Sequence, residues 1–145
     1  MNQVMSKIEF LVFVRKKWAE KVADVHKRFG IIVPTPKRIE YTTNRGFLAR
    51  VTCSQIEVVL LEINEKCLLP ENREHFLATT IPHEFAHAWN AAKGTGDDHG
   101  PNWQTCMRLL GVFPSRCGEW PSDKSRQKGM RPVCSNSNLI DLNAY

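Results

Sequence analysis

The sequence predicts an α+β fold: a small antiparallel sheet of about three strands packed on helices, one of which follows the sheet and carries the chemistry. Three observations lead there. A long amphipathic run opens the chain, three short segments of strand character follow it, and a later helical run contains His-Glu-x-x-His. Separate runs of strand and helix, rather than strict alternation, are the mark of an α+β layer.

The first helix is read over residues 6–29. Ile8, Leu11, Trp18, Val22, Val25 and Phe29 recur at spacings near three and four, which makes an apolar stripe. Ser6 followed by Glu9 has the form of a capping box, and Gly30 is a helix stop. Pro34 and Pro36 mark an extended link. Strands are expected over 38–42, 47–53 and 57–63, with turns at Asn44 to Gly46 and Ser54 to Gln55. A second helix is read over 70–93, starting at Pro70 with Glu71 and Glu74 in its first turn. Pro82 lies inside it, so a kink or break is expected just before His83. A last helix, 101–110, would start at Pro101 and stop at Gly111. Composition divides the chain into a core, 1–115, and a basic, partly irregular tail, 116–145.

A chain of 145 residues fits one domain with a modest core. No stretch has the length and apolarity of a membrane span, and the run IEFLVFV holds Glu9 and precedes its basic residues, unlike a signal peptide. Five cysteines, Cys53, Cys67, Cys106, Cys117 and Cys134, form no CxxC pair. An odd count without secretory features predicts reduced thiols in a cytoplasm.

Residues 83–87 read His-Glu-Phe-Ala-His. Residues four apart on a helix project from one face, a turn apart. His83 and His87 can therefore reach one ion, while Glu84, about 100° around the helix, flanks it without having to ligate it. Two imidazoles suit Zn²⁺, and a carboxylate beside it can manage the proton of an attacking water. At this composition a chance HExxH arises in about 1% of such chains, so the surroundings decide.

A hydrolytic zinc site needs a third protein ligand and one open position. Asp97, Asp98, His99 and Glu119 are the downstream candidates. His99 is the expected ligand: Gly94, Gly96 and Gly100 let its segment turn back, and the following helix would fix it. Glu119 is the alternative, in a His₂Glu set. Asp97 and Asp98 are expected to shape the loop or orient a histidine. The metzincin spacing is absent, since Asn90 and Lys93 stand where its Gly and third His would be. Trp89 is read as core, Trp103 as packing behind His99, and His26 and His75 as surface residues.

With His83, Glu84, His87, His99, Gly100 and Trp103 in the order HExxH then HGxxW, the chain resembles the SprT-like zinc metallopeptidases, which include the Spartan proteases. The similarity covers roughly residues 6–114. It implies a zincin-like core and a peptidase acting on proteins bound or crosslinked to DNA. Many bacterial members carry a C-terminal zinc ribbon with paired cysteines; this chain has no such pairs. It resembles a short form, of the kind phages and mobile elements also carry.

The expected reaction uses one Zn²⁺ held by His83, His87 and His99, with Glu84 as catalytic base. The substrate would be an extended protein segment paired to the sheet edge beside 57–63, giving low sequence specificity. Alternatively the tail covers that edge. Charge is uneven: net +7 over 1–50, −5 over 51–100 and +3 over 101–145. Lys16, Lys17, Lys21, Lys27 and Arg28, with Arg126, Lys128 and Arg131, could track DNA phosphates without sequence preference. They could equally be solvated faces. The reading is a cytoplasmic monomer, with nucleoid association and phage origin left open. Two rivals stand beside it: a non-catalytic DNA- or partner-binding module with structural zinc, and a phage-borne protease directed at one host protein.

Overall fold

The computed structural model describes residues 6–44, 46–96, 98–115 and 120–122. Helix α1 spans Lys7–Phe29. Its start is a reciprocal cap, with Glu9 N–H donating to Ser6 Oγ at 3.1 Å and Ser6 N–H to Glu9 Oε1 at 3.0 Å. Its end is Gly30, at φ 72°, whose N–H donates to the His26 carbonyl. Phe10, Val14, Trp18 and Val25 form the buried face, while Ile8 is 76% exposed. The stripe expected through Ile8 is therefore displaced. Residues 8–14 are apolar on nearly every side, so periodicity leaves the face ambiguous and packing selects it. Phe10 meets Phe76 at 5.8 Å between centroids, and Trp18 meets Phe85 edge-on at 5.0 Å.

Strands β1 (Pro36–Thr42), β2 (Ala49–Cys53) and β3 (Val58–Asn64) form one sheet in the order β1-β3-β2. The fold is α+β with three strands, as expected, but the sheet is mixed rather than antiparallel throughout. β3 pairs antiparallel with β2, Val51 opposite Leu61, and parallel with β1, Ile39 opposite Leu61. The reason lies in the segment after β1. It is no tight hairpin: Phe47 and Leu48 are buried there, and Asn64 at the end of β3 ties it down. Asn64 Nδ2 donates to the Asn44 carbonyl at 2.8 Å and Asn64 N–H to the Leu48 carbonyl at 2.9 Å. The chain is carried to the far side, and the short turn from Ser54 to Glu57 then returns it as β3 between the other two. A central β3 has no free edge, so residues 57–63 cannot be where a substrate pairs. β2 is an edge strand, and it packs on the helix that carries the histidines.

Beyond β3 come a 3₁₀ turn (Glu65–Leu68), α2 (Pro70–His75), a π-helical stretch (Phe76–Thr80) and α3 (Ile81–Ala92). The helix expected over 70–93 is thus present in three segments. Pro82 occupies the first turn of α3, where its missing N–H costs least. The disturbance expected before His83 takes the form of a widened turn, in which Ile81 N–H bonds the Phe76 carbonyl five residues back. All ten residues from Ile81 to Asn90 are buried, as befits a helix enclosed by β2, α1 and α4 (Pro101–Leu109).

The chain after α4 returns to this core. Trp120 is 2% exposed and stacks on Phe76 at 6.2 Å between centroids. Ser122 clasps the buried Asn72: its N–H donates to Asn72 Oδ1, and its Oγ accepts from Asn72 Nδ2, both at 2.9 Å. Among the described residues, no helix is long and apolar enough to cross a membrane.

Candidate metal centre

His83 and His87 stand one turn apart on α3, as their spacing requires, and the loop between α3 and α4 brings His99 to them. His99 Nε2 lies 3.2 Å from His83 Nε2 and 3.2 Å from His87 Nε2. The three groups are the one set of potential metal ligands of this kind among the described residues. Three imidazole nitrogens at such separations need something shared between them, because three neutral acceptors would repel. With Zn–N bonds of about 2.0–2.1 Å, two nitrogens of a tetrahedral site lie about 3.3–3.4 Å apart. The observed spacing fits that donor set and that cation.

The loop carrying His99 is held at both ends. At its start, Thr95 N–H donates to the Asn90 carbonyl at 3.2 Å and Thr95 Oγ1 contacts both the carbonyl and side-chain oxygen of fully buried Asn90. At its end, Gly100 N–H donates to Asp98 Oδ1 at 2.9 Å, and a Cβ at Gly100 would lie 2.9 Å from that oxygen. A side chain at position 100 would therefore push the Asp98 carboxylate away from its bond to the Gly100 N–H. Asp98 shapes the loop, as expected; Asp97 and Glu119 lie outside the described residues. Gln104 Nε2, on α4, donates to the His99 carbonyl at 3.2 Å.

Trp103 does more than pack behind His99. Its ring contacts all three imidazoles, at 4.8 Å from His83, 5.6 Å from His87 and 4.7 Å from His99 between centroids. Its Nε1–H donates to the His83 carbonyl at 3.4 Å. One indole thus fixes the floor of the cluster. Trp89 faces away into the core, against Phe29 at 5.2 Å. His26 is exposed, but His75 is half-buried beside Trp120 at 6.4 Å, because the returning chain covers it.

Burial, then the neighbouring His87 and His99, push the His83 pKa well below its usual value, while a hydrogen bond to the Ser115 backbone works against them. With Nε2 in the cluster, Nδ1 is the ring atom left for Ser115. Such a bond to an outer partner fixes the tautomer and aims the other nitrogen inward. Glu84 is fully buried, with Oε2 3.9 Å from His83 Nε2. The carboxylate is at the edge of the cluster, and the group of potential ligands comprises the three histidines without it. Among the described residues no thiol joins this cluster, and burial pushes Cys67 up to about 12 and raises Cys106 as well.

A pH dependence follows for the metal-free protein. His83 stays neutral in the fold at neutral pH, whereas an unfolded histidine takes a proton near pH 6.5. Its contribution is complete above that value and is lost as pH falls below it, by up to about 1.4 kcal/mol per pH unit. Melting in chelator from pH 8 to pH 5 should show Tm falling through this window, and less steeply for His83→Gln. Equal slopes for the two proteins would contradict the assignment.

The SprT-like family profile matches residues 14–121. The chain belongs to the SprT-like family. Protein SprT of Shigella dysenteriae is 32% identical over 105 residues, covering 71% of this chain and 60% of that protein. Protein SprT of Escherichia fergusonii is 33% identical over 105 residues, with coverage of 71% and 59%. Protein SprT of Pseudomonas aeruginosa strain PAO1 is 44% identical over 61 residues, with coverage of 40% and 36%. The chain thus spans 60% or less of the length of these relatives. No solved structure matches it. In this SprT-like protein His83, His87 and His99 are placed to bind a metal ion. The family match runs past α4 to include Trp120, the residue that the returning chain buries against Phe76.

Proposed function

We propose that this SprT-like protein is a zinc-dependent endopeptidase of low sequence specificity that acts on proteins bound or crosslinked to DNA. The observation that carries the hydrolytic reading is the convergence of three imidazole Nε2 atoms with a buried carboxylate at their edge. His83, His87 and His99 would hold the ion. When bound, zinc supplies Lewis acidity, lowering the pKa of water toward about 7 and polarising a carbonyl oxygen. Glu84 takes the proton of the attacking water on its carboxylate and delivers it to the departing amide nitrogen. Its placement on α3 ties that carboxylate to His83 and His87 through one rigid element. The edge of β2 offers backbone groups to an extended substrate segment, and pairing of that kind recognises any sequence. A purely structural zinc has no use for a carboxylate at this position.

The direct test is hydrolysis of labelled casein, with and without DNA. Cleavage should stop in chelator and return with one equivalent of Zn²⁺. Cleavage indifferent to chelator would remove the metal from the reaction.

The DNA part of the proposal rests on charge. On α1, Lys16, Lys27 and Arg28 are exposed, although Arg28 pairs with Asp24 at 2.9 Å and Lys17 with Glu20 at 3.5 Å. Arg126, Lys128 and Arg131 lie outside the described residues. Three phosphate contacts would give a log–log salt slope of about −2.7, or about 40-fold weaker binding between 50 and 200 mM salt. An oligonucleotide affinity that ignores salt would argue for solvated faces instead.

A further inference from the structure

We infer that Thr80 is a positioning residue for Glu84, its hydroxyl donating a hydrogen bond to the Glu84 carboxylate when that group acts as base. This rests on the hydrolytic reading above. Thr80 is the last residue of the π-helical stretch, three positions before His83 and four before Glu84. Side chains at those spacings lie on one helix face, about 5–6 Å apart at Cβ, and each leans toward the helix start. Glu84 therefore leans over Thr80.

Thr80 is 2% exposed, and its Oγ1 finds no hydrogen-bond partner. That is unusual for a helical threonine, whose ordinary refuge is the carbonyl four residues back. The neighbouring Thr79 takes this refuge, donating to the His75 carbonyl at 2.8 Å. Thr80 Oγ1 makes no such bond to the Phe76 carbonyl, which accepts from Ile81 N–H across the widened turn. One hydroxyl is thus buried without a hydrogen-bond partner, one turn before the residue that carries the carboxylate. A buried unpaired hydroxyl destabilises a protein, and valine would fill the same space without that cost. The polar atom makes sense where an acceptor arrives during the reaction. Hydrogen bonds of this type are often long before substrate binds and shorten in the reacting complex.

The test compares Thr80→Val and Thr80→Ser with wild type and Glu84→Gln, all as the full chain loaded with one zinc. Three quantities are read: zinc content, Tm, and kcat and KM on labelled casein. Thr80→Val should keep its zinc and melt at or above the wild-type temperature, with kcat lowered about 10- to 100-fold and KM unchanged. Thr80→Ser should restore kcat to within about threefold. Thr80→Val with wild-type kcat, beside a strongly impaired Glu84→Gln, would overturn this inference and leave the hydrolytic reading intact. Thr80→Val that loses zinc or melts lower would make the hydroxyl structural and also overturn it. Wild type without any cleavage would overturn both.

Discussion

Replacing Glu84 with Gln should leave a protein that binds one zinc ion and cleaves about 10²- to 10⁴-fold more slowly than wild type. Glutamine fills the same space, and the three-histidine set does not include residue 84, so metal content should match wild type. The amide cannot accept the proton of water. General-base catalysis of this kind contributes about 10²–10⁴-fold, so kcat should fall by that factor, a loss of about 3–5 kcal/mol of transition-state stabilisation. KM should change little, because Glu84 acts on the reacting proton rather than on the bound segment. Zinc analysis and casein hydrolysis on the same sample read both halves of the expectation. A Glu84→Gln protein as active as wild type would end the proposed mechanism. One that loses zinc would make Glu84 a ligand instead.

His99→Ala should have the opposite pattern. The apo protein should fold almost as well as wild type, since His99 is half-buried on a loop held separately by Thr95, Asp98 and Gln104. Zinc affinity should drop by more than the about 100-fold seen when only an outer partner of a ligand is removed. Because a bound metal stabilises the folded state in proportion to its affinity, the rise in Tm on adding zinc should largely vanish. Competition against a chromogenic chelator and melting curves with and without zinc provide the measurement. Wild-type affinity in His99→Ala would place the third ligand elsewhere, with Glu119 the first position to examine.

Part of this arrangement was legible before any coordinates. The i, i+4 spacing of His83 and His87 dictates a common face on any helix. The capping box at Ser6 and the stop at Gly30 fix α1 through local chemistry alone, and the geometry at both ends agrees. Glycines around His99 announced a loop able to fold back. Other features depended on partners distant in sequence. The parallel pairing of β1 with β3 arises from the buried excursion through Phe47 and Leu48, which looks on paper like a strand beginning. The buried face of α1 could not be chosen from a run that is apolar nearly all round. Trp120 and Ser122 sit in a polar, basic stretch with no period, so nothing local revealed their grip on Phe76 and Asn72. Thr80 was hidden for a different reason: its significance comes from a π turn, and the only local hint of that turn is Pro82.

The burial of α3 also bears on how an ion would be held in its place. Two of the three imidazoles ride on a helix enclosed from Ile81 to Asn90, so neither can swing aside without opening the protein's interior. His99 alone approaches from a half-exposed loop, hinged at Gly94 and Gly96, whose φ values of 73° and 112° suit glycine. An ion held by all three histidines would therefore have one ligand, His99, on a half-exposed loop, and breaking the bonds of Thr95 to Asn90 would disturb that ligand before the helix behind it.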